Sequence, residues 1–595
     1  MAEPSDTWSA ALGRPSRGLY GSDLMVEVLR ALGIRYIALN PGASYRGLHD
    51  SLVNFAPGEP PEIILCTHEE IAVALANGYT RATGEPMATG LHNVVGLLHA
   101  SMAIFNAWCD RTPMLNLGGG GPQDATLRRS TDWVHTALVQ GHLVRDFVKY
   151  DDQPYSLESV AESLLRAYRI ATTEPKGPVY VCLDADLQEQ QLRSALVVPE
   201  ARLYRAPAAP APNPEALREA AHLLVTAEWP VIVAGEVGRT PHALAALREL
   251  AETLAAPVID ADGRFAFPNT HPLDLTAARE PTLRAADVVL ALDVPSLGVP
   301  LGPSVRERET LQLAVRPGTK MVHITLLEGE RQSLVNDTMW LLPVAVPIAA
   351  DTAIALPQLL ALCRDQLGAH ADAAQRLEGR RARVAARHAE ARQRSQAWIE
   401  QNWQQQPISS ARLYSELKAR LRGQSWALVQ AHGRRWREVL EVTEAAHGLG
   451  GGRGAGVGYG LPASIGAALG YKGSGRLCVS VVGDGDFLMT SNALWTAARY
   501  SIPLLLIVFN NRSYYNDEEH QERVARRRER PVEHKGIGVQ IKDPAPDLAA
   551  MARALSVAGF GPITEPDQLG PTLDRAIAVV QGGQPAVVDV VTQPR

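Results

Sequence analysis

Short apolar runs alternate with helical stretches in three separate blocks of this 595-residue chain. Examples of the apolar runs are EIILCTH, DVVLALDVP and IPLLLIVFNN, and stretches such as HALAALRELAETLAA, with helical periodicity, lie between such runs. Continuous apolar strands that alternate with helices indicate parallel sheets covered by helices on both faces. The sequence therefore predicts an α/β protein with three doubly wound parallel-sheet domains.

Two changes in composition separate the three blocks. Residues 201–214 are rich in Ala and Pro, which predicts a stiff linker. Residues 372–404 contain no Pro and are dense in Ala, Arg, Glu and Gln, which predicts a long helix with a solvated arginine face. The predicted domains therefore cover residues 15–200, 215–350 and 405–595.

The charge and cysteine content exclude several classes of protein. The chain has 58 basic and 64 acidic residues, so it is not expected to coat nucleic acid. None of its five cysteines forms a Cys-x-x-Cys pair, which argues against a zinc ribbon and suits a reducing compartment. No signal-peptide pattern and no apolar run of ~20 residues is present. We therefore expect a cytoplasmic enzyme that binds neither a membrane nor nucleic acid.

A polar motif ends two neighbouring strands of the third block. The triplet GDG ends one predicted strand, and 24 residues later Asn510-Asn511 ends the next. Ligands of open α/β sheets bind at the carboxyl ends of strands. The Asp484 carboxylate and the Asn511 amide oxygen suit Mg²⁺ or Ca²⁺ bound to a diphosphate. Gly485 lets the backbone approach the ligand closely, and a helix expected near Leu488 would point its N-terminus at the anion.

This motif resembles the signature of thiamine diphosphate enzymes. The resemblance implies thiamine diphosphate and Mg²⁺ as cofactors, with Asp484, Asn511 and the backbone oxygen of Ser513 as metal ligands. It also makes Val457 the apolar residue that holds the cofactor in its bent shape. The residues that it places around the cofactor are Glu69, Gly433, Arg434, Arg435, Val457, Gly485, Asp486 and Tyr514.

A glutamate in the first block completes the resemblance. The family places a Glu nine residues before a Gly-Tyr pair, and Glu69 stands nine residues before Gly78-Tyr79. Its carboxylate would bond the pyrimidine N1′, which activates the C2 carbon of the cofactor. Glu70 is interpreted as a first-turn helix acid. The resemblance further implies that Glu69 of one subunit meets the metal site of another, in a homodimer or homotetramer.

The order of domains is similar to that of the superfamily of acetohydroxyacid synthase, benzoylformate decarboxylase and oxalyl-CoA decarboxylase/2-hydroxyacyl-CoA lyase. Relatives bind ADP or FAD in the middle domain, so ADP is a further expected ligand. Leu91-His92-Asn93 resembles the active-site histidine loop of benzoylformate decarboxylase, although a structural histidine is the alternative. His135 stands where acetohydroxyacid synthases carry Gln, with Leu127 nearby in the expected substrate pocket.

Two further features bear on the substrate. Ala493 stands where relatives carry a Glu that would act as general base, so either the enzyme works without that base or the residue was substituted; we favour substitution. Arg526, Arg527 and Arg528 follow the metal motif, and they form either a clamp for the phosphates of coenzyme A or a solvated loop.

Together these features most resemble short-chain 2-hydroxyacyl-CoA lyases. The resemblance predicts cleavage of the C1–C2 bond of a substrate such as 2-hydroxyisobutyryl-CoA, giving a ketone or aldehyde (here acetone) and formyl-CoA. His135 or His92 would move one of the protons. The alternative is a 2-keto acid decarboxylase or carboligase that uses the same cofactor without coenzyme A.

Overall fold

The structure is a computed structural model that describes residues 13–55, 57–194, 196–261, 263–302, 313–327, 341–369 and 372–594. It contains three parallel sheets, one in each predicted block, and helices pack on both faces of them. The α/β prediction is confirmed. Among the described residues, no helix has both the length and the apolar character that a membrane crossing requires.

The first domain is built on a six-stranded sheet. The domain also has a separate pair of strands, so its described strands are β1 (Gly13–Pro15), β2 (Tyr36–Leu39), β3 (Glu62–Leu65), β4 (Met87–Leu91), β5 (Met114–Gly120), β6 (Asp151–Asp152), β7 (Pro178–Asp184) and β8 (Val197–Pro199). Its helices are α1 (Gly21–Ala31), α2 (Arg46–Asp50), α3 (Glu69–Thr83), α4 (Asn93–Cys109), α5 (Ser130–Val134), α6 (Leu157–Thr172) and α7 (Ala185–Glu189). The strand order is β3-β2-β4-β5-β7-β6, and all neighbours in it are parallel, whereas β1 and β8 form a separate antiparallel pair.

The middle domain has a five-stranded parallel sheet in the order β10-β9-β11-β12-β13. Its strands are β9 (Pro230–Ala234), β10 (Val258–Asp260), β11 (Val288–Leu292), β12 (Lys320–Thr325) and β13 (Val346–Ala349). Its helices are α8 (Pro214–Thr226), α9 (Pro241–Leu254), α10 (Arg279–Ala285) and α11 (Thr352–Gly368).

The long helix α12 (Ala373–Gln401) leads from the middle domain to the third domain, as the sequence predicts. The expected solvated arginine face needs one correction, because Arg380 is buried. Its guanidinium donates to the carbonyls of Leu254 and Ala227, both at 2.6 Å. Arg380 therefore anchors α12 to the ends of two middle-domain helices by satisfying carbonyls that the helices leave without partners.

The third domain has a five-stranded parallel sheet in the order β14-β15-β16-β18-β17. Its strands are β14 (Trp426–Leu428), β15 (Leu477–Gly483), β16 (Leu505–Asn510), β17 (Ala558–Ile563) and β18 (Ala586–Val591). Its helices are α13 (Ser410–Leu421), α14 (Trp436–Val439), α15 (Gly460–Tyr471), α16 (Asp484–Thr490), α17 (Ala493–Arg499), α18 (Tyr515–Arg527), α19 (Leu548–Ala554) and α20 (Pro566–Gln581).

Helices α3 and α15 join the first and third domains through glycine contacts. A Cβ on Gly78 would lie 1.9 Å from the carbonyl oxygen of Ala463, and a Cβ on Gly466 would lie 1.8 Å from that of Leu75. Such distances leave no room for any side chain, so the two backbones touch. One buried apolar cluster therefore continues from the first domain into the third.

Gly78→Ala and Gly466→Ala are each expected to lower the free energy of unfolding by about 1–3 kcal/mol, because the added methyl meets backbone that cannot move aside. The urea midpoint of unfolding measures the loss. Gly379→Ala is the matched control, because Gly379 lies in α12 and a Cβ added there would have nothing within 4 Å. That control should be neutral or stabilising. Equal midpoints for all three variants would contradict the close contact.

Candidate active site

A cleft of about 390 Å³ opens at the carboxyl ends of the strands of the third domain. The turns that follow β14, β15 and β16 line this cleft, because the three strands are parallel and end at the same edge of the sheet. The predicted site residues that line it are Val457, Asp484, Gly485, Asp486, Asn511, Ser513 and Tyr514. The structure therefore brings together half of the third-domain residues that the sequence singles out, including all three predicted metal ligands.

The predicted metal ligands lie against one another in this cleft. The backbone N–H of Ser513 donates to Asp484 Oδ2 at 3.2 Å and to Asn511 Oδ1 at 3.0 Å. Burial raises the pKa of the Asp484 carboxyl to about 6, although backbone N–H donors oppose the rise. Among the described residues, no Lys or Arg forms an ion pair with Asp484 within 4 Å. A buried carboxylate that accepts only backbone N–H donors among the described residues, beside an amide oxygen, fits a divalent cation such as Mg²⁺.

Gly485 leaves space for the ring of Tyr514 in the cleft. Helix α16 begins at Asp484, four residues earlier than the sequence indicates, so Gly485 stands in its first turn. A Cβ at this position would lie 2.4 Å from Cε1 of Tyr514. The absence of a side chain therefore lets the Tyr514 ring lie against the start of α16 beside the predicted metal ligands.

Asp486 shapes the opposite wall of the cleft. Its Oδ1 accepts the backbone N–H of Gly458 at 2.7 Å and that of Gly460 at 3.4 Å, which fixes the turn before α15. Burial raises the pKa of Asp486, and these N–H donors lower it. The fixed turn presents Val457, which is 44% exposed and lines the cleft. The apolar side chain of Val457 is therefore available to contact a molecule bound in the cleft.

The position of the loop after β14 differs from the prediction that Gly433, Arg434 and Arg435 surround the cofactor. His432 lines the cleft, but Gly433, Arg434 and Arg435 line a different cavity of about 350 Å³, between the middle domain, α12 and α14. Arg434 pairs with Glu519 at 2.5 Å, and Arg435 pairs with Glu438 at 2.5 Å. These carboxylates draw the two guanidiniums away from the cleft.

Glu69 is the first residue of α3 and only 5% exposed. Nδ1 of His99 lies 3.1 Å from Glu69 Oε2. Oε1 faces Gly96, where an added Cβ would lie 3.1 Å from this oxygen. The neighbouring Glu70 has different surroundings, since its backbone N–H donates to Nδ1 of His68, and burial followed by the charge of Asp486 raises its pKa.

A third cluster lies at the ends of β2 and β4. Ser44 Oγ and His92 Nδ1 are 3.0 Å apart, and the His92 and His135 rings meet edge to face at 5.4 Å. The backbone N–H of Val94 donates to the carbonyl of His135, which ties the loop around His135 to the start of α4. Leu127, on the same loop, is 50% exposed.

Sequence reasoning missed Ser44, His68 and His99. Ser44 lies in the loop that follows β2, five residues after the strand ends, so the rule that ligands bind at strand ends marks it as a candidate. His92, Gly96 and His99 are spaced by four and three residues and share one face of α4. That spacing was the available signal for His99.

Ala493 requires a second correction. It is 0% exposed and belongs to the same buried apolar cluster as Phe487 and Leu494. It is not among the described residues that line the cleft. A general base at this position would be enclosed by core residues, so the interpretation of Ala493 as a lost base is not supported.

Ala493→Glu is accordingly expected to destabilise the protein by at least about 3 kcal/mol, because it buries a carboxylate without a partner. Thermal or urea unfolding measures this loss. Ala493→Gln, which has the size of Glu without its charge, serves as the control for side-chain volume. A Glu variant with unchanged stability and faster turnover would restore the interpretation of this position as a base site.

The three arginines proposed for coenzyme A lie at the end of α18 and are exposed. Arg526 pairs with Glu522 of the same helix at 2.6 Å. None of Arg526, Arg527 and Arg528 is among the described residues that line the cleft. Their placement agrees with the alternative of a solvated face.

Glu69 also lies outside the described lining of the cleft. The hard oxygen donors of Asp484 and Asn511 line the cleft, whereas Glu69 contacts His99, and Ser44, His92 and His135 form a cluster of their own.

Three domain profiles of one family match this chain in order. They are described as the thiamine pyrophosphate enzyme N-terminal TPP binding domain, over residues 19–141, the central domain, over 217–359, and the C-terminal TPP binding domain, over 433–590.

Individual relatives agree with these profiles. The chain is 27% identical to a probable 2-ketoarginine decarboxylase of Pseudomonas aeruginosa, with 85% of each protein covered. It is 27% identical to the acetolactate synthase isozyme 3 large subunit of Escherichia coli, over 96% of this chain and 94% of that protein. Among solved structures, benzoylformate decarboxylase from Polynucleobacter necessarius superposes with a TM-score of 0.75 at 19% identity, over 97% of this chain and 99% of that one. With all three domains matched in order, the chain belongs to the thiamine pyrophosphate enzyme family of decarboxylases and acetolactate synthases.

Proposed function

We propose that this protein is a thiamine diphosphate-dependent decarboxylase of a 2-keto acid. The observation that carries the proposal is the contact of His92 with Ser44 at 3.0 Å, on the face of α4 that also turns towards Glu69. A histidine held in this way handles protons near neutral pH. Loss of CO₂ from a 2-keto acid and release of the aldehyde require such a group beside the reacting carbon.

Thiamine diphosphate, when bound, supplies a carbon nucleophile and an acceptor for the electrons that the departing carboxylate leaves behind. With the cofactor bound, the Glu69 carboxylate would accept a hydrogen bond from the pyrimidine N1′ and hold its proton. Asp484, Asn511 and Ser513 would hold Mg²⁺, and Val457 would support the rings of the cofactor. His92 then protonates the substrate oxygen or receives the proton of the product, while Ser44 keeps its ring in place.

The placement of Glu69 supports an active homodimer or homotetramer. Glu69 is not among the described residues that line the third-domain cleft of its own chain, so in our proposal a second copy brings its Glu69 to that cleft. Oligomeric state measured by light scattering tests this directly. Activity should follow the dimer as the protein is diluted, because the monomer holds only half of each site.

The 2-hydroxyacyl-CoA lyase is the second candidate. His135 favours the lyase, because it adds a second proton-transfer group beside His92. The centroids of the two rings are 5.4 Å apart. Against it, Arg526 is paired with Glu522 and the arginines stand on an exposed helix end. Cleavage of a 2-hydroxyacyl-CoA, and likewise ADP binding in the middle domain, remain predictions.

A substrate panel distinguishes the two candidates. The protein is incubated with thiamine diphosphate, Mg²⁺ and either 2-keto acids or 2-hydroxyacyl-CoAs, and CO₂ and formyl-CoA are measured. The keto acids include benzoylformate, pyruvate and 2-ketoarginine, since these differ in side-chain size and charge. CO₂ release without formyl-CoA supports the decarboxylase. Formyl-CoA without CO₂ supports the lyase and rejects our proposal.

His92→Ala is expected to lower kcat by about 10²–10⁴-fold, the usual contribution of a positioned general acid or base. Ser44→Ala should cost less, about tenfold, because it removes one hydrogen bond that orients the ring. His142→Ala, a change of an exposed histidine in the same domain, is the control. Steady-state rates on the best keto acid measure all three. If His92→Ala and His142→Ala were equally active, His92 would have no catalytic role.

A further inference from the structure

Three metal-binding side chains meet beside the first turn of α3. His68 precedes the helix, Glu69 begins it, and His99 lies on α4. One nitrogen or oxygen donor from each residue lies within 4.8 Å of the donors of the other two. The proposed function uses Glu69 but leaves both imidazoles without a role.

The spacing of these donors is close to that of a coordination shell. Two ligands of a tetrahedral zinc ion stand about 3.3 Å apart, given its usual bond lengths. His99 Nδ1 and Glu69 Oε2 are 3.1 Å apart and already match this separation. The His68 ring is stacked on that of His99 with centroids 4.8 Å apart, so His68 has to reorient its ring to complete the set.

In a single chain, a metal ion can reach these donors from solvent. The His99 side chain is 49% exposed, and His68 is partly exposed, whereas Glu69 is buried beneath them. Within the described part of the chain, His99 is the only basic side chain within 4 Å of the Glu69 carboxylate. The competing bond is that from the Glu70 N–H to His68 Nδ1, at 3.2 Å. An entering ion therefore displaces few existing contacts.

We infer that His68, Glu69 and His99 form a site for a divalent transition metal such as Zn²⁺ or Cu²⁺, and that the bound ion blocks cofactor activation. Two imidazoles and one carboxylate select such ions over Mg²⁺. The all-oxygen set of Asp484, Asn511 and Ser513 selects Mg²⁺ instead. The ion would occupy the Glu69 carboxylate that the pyrimidine N1′ needs, so transition metals inhibit the enzyme. The inhibitory half of this inference rests on the proposed role of Glu69.

The binding half is tested by Zn²⁺ titration of the full-length protein after removal of cofactor and metals, in competition with a chromophoric chelator. His99→Asn keeps an N–H donor for Glu69, and His68→Asn keeps a helix cap, but each variant loses an imidazole. We expect one zinc equivalent per chain whose affinity falls at least tenfold in both variants. His222→Asn, on the exposed face of the middle domain, is the control and should retain it. Equal zinc binding by all four proteins would overturn the site.

The inhibitory half is tested by measuring thiamine diphosphate affinity and exchange of its C2 proton, each with Mg²⁺ in excess and with or without one equivalent of Zn²⁺. Zinc should suppress C2-proton exchange in the parent protein, and it should suppress exchange much less in the His99→Asn variant. Zinc that binds without affecting exchange would overturn the inhibitory half. If the proposed role of Glu69 were wrong, the Glu69→Gln variant would exchange the C2 proton at the parental rate in the absence of zinc.

Discussion

Replacement of Glu69 by Gln is expected to reduce exchange of the cofactor C2 proton by at least about 100-fold while the fold and cofactor affinity stay nearly unchanged. The amide fills the same volume at a buried position, so packing is retained. It cannot hold the proton of the pyrimidine N1′ as a carboxylate does, and loss of a positioned acid or base costs about 10²–10⁴-fold. Hydrogen–deuterium exchange at C2, followed by NMR, measures this effect without any substrate.

Glu70→Gln is the matched control for this experiment. Glu70 is the next residue of the same helix, is also partly buried, and is interpreted as a helix acid rather than an activator. The control variant should exchange at the parental rate. If Glu69→Gln exchanged as fast as Glu70→Gln, the activating carboxylate would have to be sought elsewhere.

Replacement of Asp484 by Ala is expected to weaken Mg²⁺-dependent binding of thiamine diphosphate by at least about 100-fold. Even the loss of a partner outside the ligand shell costs about 10–100-fold in metal affinity, and Asp484 supplies the only charged group of the proposed set. Calorimetric titration with the cofactor, with and without Mg²⁺, measures the change.

Asp365→Ala, an exposed carboxylate on α11, controls for the change in net charge and should bind the cofactor like the parent. In the Asp484 variant the two titrations should become similar, because Mg²⁺ no longer bridges protein and diphosphate. Retention of the difference between them would place the metal ligands elsewhere in the cleft.

The sequence by itself determined the fold class and predicted the principal site residues. Apolar strands and amphipathic helices are local patterns, so their alternation indicates parallel sheets without knowledge of any long-range contact. Asp484 and Asn511 were found for the same reason, because each ends a recognisable strand and parallel strands end at one edge. Glu69 was found through its spacing from Gly78, which also lies within one helix.

Only the tertiary structure decided where the remaining side chains point. Glu519 lies 85 residues from Arg434 in the sequence and draws it out of the cleft, and no local pattern carries that information. Ala493 is enclosed because α17 packs into the buried cluster shared by the first and third domains. Ser44 meets His92 across 48 residues because β2 and β4 are neighbours in the sheet. Such contacts depend on the order of strands and the packing of helices between domains, which the periodicity of a sequence does not specify.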